Sequence, residues 1–161
     1  MSKISPLAFI DPEAKIGENC EIGPFCFIDK NVEIGDNNVL MNSVSVLYGA
    51  RIGNGNVIFP GAVISAVPQD LKFRGEDTTA EVGDNNKIRE NVTINRGTAA
   101  KGKTCVGSGN LLMESVHVAH DAFVGNDCII GNGTKLAGEI IIDDHAIISA
   151  NVLMHQFCRV G

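Results

Sequence analysis

The sequence predicts an all-β solenoid, a parallel β-helix, and three observations lead to this fold class. Counting from Ile4 in steps of six, 24 of 27 positions carry Ile, Val, Leu or Met. Glycine directly follows this periodic residue in nine of the units. A small or compact residue, most often Ala, Cys or Val, stands four places after it. A helix repeats every 3.6 residues and an ordinary strand alternates, so a period of six indicates short strands separated by sharp turns.

Three such units close one triangular coil of about 18 residues, and successive coils stack at the ~4.8 Å strand spacing. The regular units therefore predict about eight coils in a single domain over residues 1–161. Its height is on the order of 40 Å. We expect the glycine after each aliphatic residue to permit the sharp turn between strands.

The period fails at only three positions, Asp70, Glu76 and Ala100, and these failures predict two loops ejected from the solenoid. The loops cover residues 68–80 and 97–103. Loops on a rigid scaffold are common places for ligand contacts. The first loop concentrates Gln69, Asp70, Lys72 and Arg74, which favours a function over a neutral insertion. For the second loop, both interpretations are equally open.

Composition and charge exclude several classes of protein. Five cysteines without a CxxC pair disfavour disulfides and a structural zinc site, and four of the five occupy the small inward position, where we expect burial. A net charge of −6 argues against general nucleic-acid binding, although residues 72–103 are locally basic with a net charge of +2. No apolar run approaches the ~18 residues of a membrane span, so we expect a cytoplasmic protein with no integral membrane segment.

The repeat stops in mid-unit at Gly161. An uncapped solenoid end exposes unpaired backbone and aliphatic core. We therefore expect either that the chain continues in the natural protein or that a partner covers this end.

The stretch "ESVHVAHDAFVGN" (114–126) holds two of the four histidines. Val116 and Val118 point inward on the six-residue period, so His117 points outward and His120 falls in the following turn. Their Cα atoms are roughly 10 Å apart, which disfavours a metal chelate within one chain. One coil on, His117 faces Lys135 and His120 faces Gly138, neither of which is a metal ligand.

Three interpretations of these histidines stay open: solvated surface residues, a zinc site shared between subunits, and a general base. A base needs an orienting acid and donors for a developing oxyanion. Asp121 can orient His120, and the Gly138 N–H can reach a substrate without a side chain in the way. No serine or cysteine adjoins His120 as a nucleophile, so direct transfer to an acceptor hydroxyl fits better than a covalent intermediate.

The motifs "IGPFC", "QDLKF", "IRENVTINRGT", "NLLMESVHVAHDAFVGN", "TKLAGEIIIDD" and "HQFCRVG" resemble those of the UDP-N-acetylglucosamine acyltransferases over essentially the whole chain. The resemblance implies a left-handed parallel β-helix, a hexapeptide-repeat solenoid. It also implies transfer of an (R)-3-hydroxyacyl group from acyl carrier protein to the 3-hydroxyl of UDP-GlcNAc, the first step of lipid A biosynthesis. The family works without a cofactor, as a homotrimer with active sites between subunits.

The resemblance also implies roles for individual residues. His120 is the general base, Asp121 its orienting partner and Gly138 the oxyanion donor. The substrate-binding residues are Asp70, Leu71 and Lys72 for the sugar nucleotide and acyl chain, His117 beside the base, and His155 and Gln156 near the uracil or sugar. The basic residues Lys87, Arg89, Arg96, Lys101 and Lys103 suit docking of an acidic carrier protein.

The sequence departs from the family at three points. Asn95 and Glu139 stand where many relatives have histidine, and the helical C-terminal domain of the family is absent from these 161 residues. Two competing hypotheses therefore remain at this stage. One is a zinc enzyme of the γ-carbonic-anhydrase type, and the other is a non-catalytic truncated solenoid.

Overall fold

A computed structural model describes residues 1–161 and contains 24 short strands and no helix. The first twelve strands are β1 (Lys3–Ile4), β2 (Phe9–Ile10), β3 (Lys15–Ile16), β4 (Glu21–Ile22), β5 (Phe27–Ile28), β6 (Glu33–Ile34), β7 (Val39–Leu40), β8 (Ser45–Val46), β9 (Ala50–Ile52), β10 (Val57–Ile58), β11 (Val63–Ala66) and β12 (Thr79–Val82). The remaining twelve are β13 (Lys87–Ile88), β14 (Thr93–Asn95), β15 (Lys103–Val106), β16 (Leu111–Leu112), β17 (His117–Val118), β18 (Phe123–Val124), β19 (Ile129–Ile130), β20 (Lys135–Leu136), β21 (Ile141–Ile142), β22 (Ile147–Ile148), β23 (Leu153–Met154) and β24 (Arg159–Val160).

Every third strand belongs to the same sheet, and the chain therefore winds into three parallel sheets of eight strands each. We call the sheet that begins with β1 sheet A, the one with β2 sheet B and the one with β3 sheet C. In regular coils the register is 18 residues, as in the pairing of Ile4 with Ile22. The parallel β-helix of about eight coils is thus confirmed. None of its elements is a helix of the length and apolarity that a bilayer crossing requires.

The core is a single column of 31 buried hydrophobic side chains inside the prism. Both inward positions of the six-residue unit contribute to it. The periodic aliphatic residue and the small residue four places later are buried in most units. Cys20, Cys26 and Cys128 are buried as predicted. Cys158 is exposed, contrary to expectation, since no further coil of this chain stacks on it.

The expected role of the glycine after each aliphatic residue is wrong. Gly17 and its equivalents do not adopt positive φ; the left-handed residue lies two places later, as at Asn19 (φ 55°) and Asn37 (φ 57°). Glycine is needed at the earlier place because coils approach closely there. A Cβ on Gly17 would stand 2.6 Å from the carbonyl carbon of Gly35, one coil on.

A ladder of buried asparagines, which the sequence analysis missed, runs up one corner of the prism. Asn38, Asn56, Asn86 and Asn110 occupy the small inward position in successive coils. Each side-chain oxygen accepts the backbone N–H of the next rung, at 2.8–2.9 Å. Each amide nitrogen donates to a glycine carbonyl, also at 2.8–2.9 Å. The column closes backbone hydrogen bonds that the turns leave open.

The two loops lie where the period fails, with slightly different bounds. The first spans 67–78 between β11 and β12, because residues 79 and 80 belong to β12, and the second spans 96–102 between β14 and β15. The first loop leaves the solenoid at a bulge, where Ser65 adopts φ 69° and the register with β14 shifts. It is anchored by Arg96, whose guanidinium lies 5.1 Å from the Tyr48 ring and 5.3 Å from the Phe73 ring.

Candidate active site

His120 occupies the turn after β17, with its imidazole held between two coils. Its Nδ1 lies 2.8 Å from Oδ2 of Asp121, so the two neighbouring side chains do make a hydrogen bond. The His120 side chain is 12% exposed and that of Asp121 is fully buried. An imidazole bound at Nδ1 in this way presents Nε2 to whatever occupies the adjoining space.

The Asp121 carboxylate is surrounded by donors. Besides His120, Oδ2 accepts the Thr98 hydroxyl at 2.6 Å, and Oδ1 accepts the backbone N–H groups of Thr98 and Lys101 at 3.0 and 3.2 Å. Burial raises the pKa of Asp121, but hydrogen bonds from Thr98 and His120 outweigh it and leave the pKa below its usual value. The carboxylate is therefore an anion at neutral pH, fixed in one orientation.

Gly138 packs directly against the His120 ring, as the 18-residue register predicts. A Cβ at this position would stand 2.6 Å from Cε1 and 2.7 Å from Nε2 of His120, so only glycine leaves room for the imidazole. The Gly138 N–H donates to no group of the chain. Proline, which has no N–H, occupies the equivalent place in other turns, at Pro6, Pro12 and Pro24. The coil therefore does not need a hydrogen-bond donor at this place.

Asp70, on the first loop, reaches back toward His120. Its Oδ2 lies 3.9 Å from Nε2 of His120, on the opposite side of the ring from Asp121. The Asp70 side chain is also fixed locally, because Oδ1 accepts the backbone N–H of Lys72 at 2.9 Å. The first loop thus places a second carboxylate near Nε2 of His120.

His117 lies on β17 and pairs across sheet B with Lys135. Its Nδ1 lies 2.7 Å from the hydroxyl of Thr93, on the preceding coil. Burial lowers the pKa of His117, and the positive charge of Lys135 and the nearby His120 lower it further. His117 is therefore a neutral imidazole at physiological pH, suited to hydrogen bonding.

Two cavities are lined by residues of this site. The first, of ≈ 340 Å³, joins His117, His120 and Gly138 to an apolar floor of Leu136, Leu153 and Met154. The second, of ≈ 380 Å³, is more polar. It is lined by Asp70, Lys72, Glu76, Thr98, Glu139, Gln156 and neighbouring small residues, with Phe157 at its edge.

The structure brings together most, but not all, of the residues singled out in the sequence. Leu71 is 96% exposed, and His155 is exposed with its Nδ1 3.0 Å from the Gln156 carbonyl oxygen; neither lines either of these two cavities. The two departures from the family pattern both lie in the site. Glu139 lines the second cavity, and Asn95 lines the first. The Asn95 amide nitrogen donates to the Val67 carbonyl at 2.7 Å.

The expected basic docking stretch is smaller than its sequence suggested. Arg96 is buried under the first loop, so it does not face solvent. Arg89 pairs with Glu90, and Lys103 pairs with Glu81. Lys87 is exposed and takes part in no ion pair, and Lys101 donates to the Asp121 carbonyl oxygen at 3.3 Å.

The geometry does not favour a zinc site at the two histidines. Nδ1 of His117 is hydrogen-bonded to Thr93 and Nδ1 of His120 to Asp121. Lys135, a cation, stands beside His117. No group of three or more His, Cys, Asp or Glu side chains converges as metal ligands would.

Three threonines of the site escaped the sequence analysis. Thr98 and Thr104 contact Asp121, and Thr93 contacts His117. The only signal for Thr98 was the failure of the period around residue 100, which marks a loop but not its contacts. Thr93 occupies an outward strand position that nothing in the periodicity distinguishes from any other.

The chain is similar to curated proteins and to solved structures that share one name. No protein-family model matches the chain. An acyl-[acyl-carrier-protein]–UDP-N-acetylglucosamine O-acyltransferase of Aliarcobacter butzleri is 46% identical over 162 residues, which is 100% of this chain and 62% of the relative. The crystal structure of a UDP-N-acetylglucosamine acyltransferase from Bacteroides fragilis is 75% identical with a TM-score of 0.96, covering 98% of this chain and 62% of that one.

A third match is the enzyme of the same name from Francisella novicida, at 46% identity and a TM-score of 0.96, over 98% of this chain and 58% of that one. Superposition at this level requires the same coil sense, so the solenoid is left-handed, as the sequence resemblance implied. This chain spans about three fifths of the length of the relatives it matches.

Proposed function

We propose that the chain is a member of the UDP-N-acetylglucosamine acyltransferase family and that it transfers an (R)-3-hydroxyacyl group from acyl carrier protein to the 3-hydroxyl of UDP-GlcNAc. This reaction is the first step of lipid A biosynthesis. The observation that carries the proposal is the base itself: Nδ1 of His120 is held by a buried carboxylate, and Nε2 faces Asp70 and Gly138.

In this proposal Nε2 of His120 removes the proton of the acceptor hydroxyl as its oxygen bonds to the thioester carbonyl carbon. The negative charge that develops on the carbonyl oxygen is stabilised by the free N–H of Gly138. The carbon–sulfur bond then breaks, and the imidazolium returns its proton to the departing thiolate of the carrier. No covalent enzyme intermediate and no cofactor is required, and Asp121 stabilises the imidazolium while it exists.

We assign the two cavities to the two substrates. Asp70, Lys72 and Gln156 line the polar cavity and hold the sugar nucleotide, with the Asp70 carboxylate accepting a sugar hydroxyl next to the reacting one. The apolar floor of the other cavity accepts the start of the acyl chain, and the neutral imidazole of His117 contacts the substrate beside His120. Asn95 and Glu139 adapt these cavities where relatives carry histidine.

We propose that the molecule is a homotrimer whose subunits complete each other's clefts. Leu111, Ile129 and Ile147 form an aliphatic row across neighbouring strands of sheet A, and Phe123 and Ile141 a second row on sheet C. Two different apolar faces suit a closed ring, in which one face of each subunit meets the other face of the next. In such a trimer, the neighbouring subunit contacts Leu71 and His155, which are exposed in the single chain.

We propose that the donor is an acidic carrier protein and that it contacts the exposed Lys87 and Lys101. A protein carrier and a nucleotide sugar as substrates place the proposed reaction in the cytoplasm.

The direct test of the function is acyl transfer by the purified natural protein from (R)-3-hydroxyacyl carrier protein to UDP-GlcNAc. We expect an ester at the 3-hydroxyl, identified by mass spectrometry and NMR, and no product with an acceptor that lacks this hydroxyl. Absence of product across acyl chain lengths, from a folded trimer, would remove the proposal. Stoichiometric zinc and carbon dioxide hydration would instead favour the competing zinc enzyme.

A further inference from the structure

The second loop, residues 96–102, closes over the buried carboxylate behind the base. Thr98 donates twice to Asp121, from its hydroxyl to Oδ2 at 2.6 Å and from its backbone N–H to Oδ1 at 3.0 Å. Lys101 donates its N–H to Oδ1 at 3.2 Å. Both Asp121 oxygens are therefore bound by the loop, and only one of them also meets His120.

We propose that Thr98 is a positioning residue of the general base, whose hydroxyl fixes the Asp121 oxygen that orients His120. The inference rests on the proposed function of His120 as base, but the hydrogen bonds that support it do not depend on that function. It assigns the second loop a role in catalysis that neither its sequence nor its surface position suggested.

The geometry favours positioning because two donors share one oxygen. Oδ2 of Asp121 receives the Thr98 hydroxyl at 2.6 Å and Nδ1 of His120 at 2.8 Å. With both lone-pair directions of Oδ2 occupied, the carboxylate cannot rotate without breaking a buried hydrogen bond. The plane of the imidazole, and hence the direction of Nε2, follows from the carboxylate.

Thr98 is itself held rigidly and is nearly buried. Its hydroxyl oxygen accepts the N–H of Ala100 at 3.2 Å, and its carbonyl accepts the N–H of Gly102 at 2.7 Å. The preceding carbonyl, of Gly97, accepts the hydroxyl of Thr78 at 2.6 Å. Since Thr78 ends the first loop, both loops that leave the solenoid converge on the support of one carboxylate.

Several charged and titratable groups surround this pair, and they include Lys135 in the cavity that His120 lines and Glu139 next to Gly138. Asp70 approaches Nε2 of His120 from the first loop, and His117 lies on the adjoining strand. Lys101 donates from its side chain to the Asp121 carbonyl at 3.3 Å. None of them contacts Oδ2 of Asp121, so loss of the Thr98 hydroxyl leaves His120 as the only donor to that oxygen.

The test compares T98V, which keeps the shape but removes the hydroxyl, with T98S, which restores it. The matched control is T134V. Thr134 is also buried, but its hydroxyl donates to the Ser149 carbonyl at 2.8 Å and makes no hydrogen bond with Asp121. All variants are first compared with wild type by thermal unfolding, so that a folding defect is seen directly.

For T98V we expect kcat to fall about tenfold, because the base is less well aligned, with KM changed by less than about twofold. We also expect the acid limb of the pH–rate profile to move to higher pH. Without the Thr98 hydroxyl, the negative charge of Oδ2 stabilises the protonated form of His120 more strongly. T98S recovers both, and T134V leaves the acid limb unchanged. Wild-type kcat and pH profile in a folded T98V would overturn the proposal, as would a T98S that recovers neither.

A second measurement separates this proposal from the proposed function. The imidazole of His120 is titrated by ¹⁵N NMR in the substrate-free protein, which requires no turnover. If the protein has no acyltransferase activity, the function fails, yet a His120 titration that moves in T98V and returns in T98S still supports the link. An unchanged titration in T98V contradicts it even if the enzyme is active.

Discussion

The imidazole of His120 packs against Gly138 so closely that no room is left for even a methyl group on Gly138. A Cβ on Gly138 would stand 2.6 Å from Cε1 of the ring. The stacking of adjacent coils therefore restricts the position of His120 together with its hydrogen bond to Asp121.

Replacing Gly138 with alanine tests this contact. The far end of the His120 side chain must move, so we expect kcat to fall by roughly 10²-fold, the effect of a displacement near 1 Å. The fold is retained, because the clash is relieved by a side chain rather than by backbone. In a double-mutant cycle, G138A adds little to H120A if Gly138 acts through the base. Full activity in G138A would show that the contact is not needed.

The stacking of Arg96 between Tyr48 and Phe73 ties the first loop to the solenoid. We expect R96K to lose roughly 2 kcal/mol of stability and to loosen residues 67–78, which carry Asp70. Hydrogen exchange of the loop backbone measures the loosening. The matched control is R89K, because Arg89 lies 4.5 Å above the Phe59 ring but holds no loop. Equal protection of the loop in both variants would contradict the prediction.

The asparagine ladder predicts a graded loss of stability at Asn86. Asn86→Ala leaves buried partners unsatisfied, and we expect about 2–4 kcal/mol less stability in urea unfolding. Asn86→Cys costs about half as much, because cysteine at equivalent positions donates to the next coil; Sγ of Cys20 lies 3.1 Å from the Gly35 carbonyl oxygen. The reverse order of the two variants would show that polar satisfaction does not govern this column.

The lowered pKa of His117 predicts a dependence of stability on pH. An unfolded histidine takes up its proton near pH 6.5, whereas folded His117 does so only at lower pH. The unfolded state then binds more protons in this window, so the free energy of unfolding falls as the pH falls through it.

Removing the charge of Lys135 raises the pKa of His117 part of the way back, since burial is the larger cause. We therefore expect K135A to show a smaller loss of stability on acidification than wild type, measured by urea unfolding between pH 7 and 5. K87A, an exposed lysine on another sheet, serves as control. Identical pH dependence in K135A and wild type would contradict the account of His117.

The fold could be predicted almost entirely from the sequence, because in a solenoid each residue's environment repeats every coil. The register that places Gly138 opposite His120 follows from counting 18 residues. What repeats could be predicted, and what interrupts the repeat could not. The contacts of Asp70, Thr98 and Arg96 depend on loop conformations that no period encodes.

Periodicity also could not predict why glycine is required after the periodic aliphatic residue. The pattern alone cannot distinguish a glycine required by positive φ from one required by close approach, as at Gly17. The asparagine column was hidden for a similar reason, since Asn86 stands where the pattern favours small apolar residues. Its hydrogen bonds become visible only when three coils are stacked.

The proposed mechanism depends on His120 acting as the general base of acyl transfer to a sugar hydroxyl. The most direct measurement is the rate of transfer from 3-hydroxyacyl carrier protein to UDP-GlcNAc by H120A, beside wild type of equal thermal stability. We predict a loss of about 10²–10⁴-fold in kcat, the usual contribution of a general base. A folded H120A that transfers the acyl group at the wild-type rate would contradict the account.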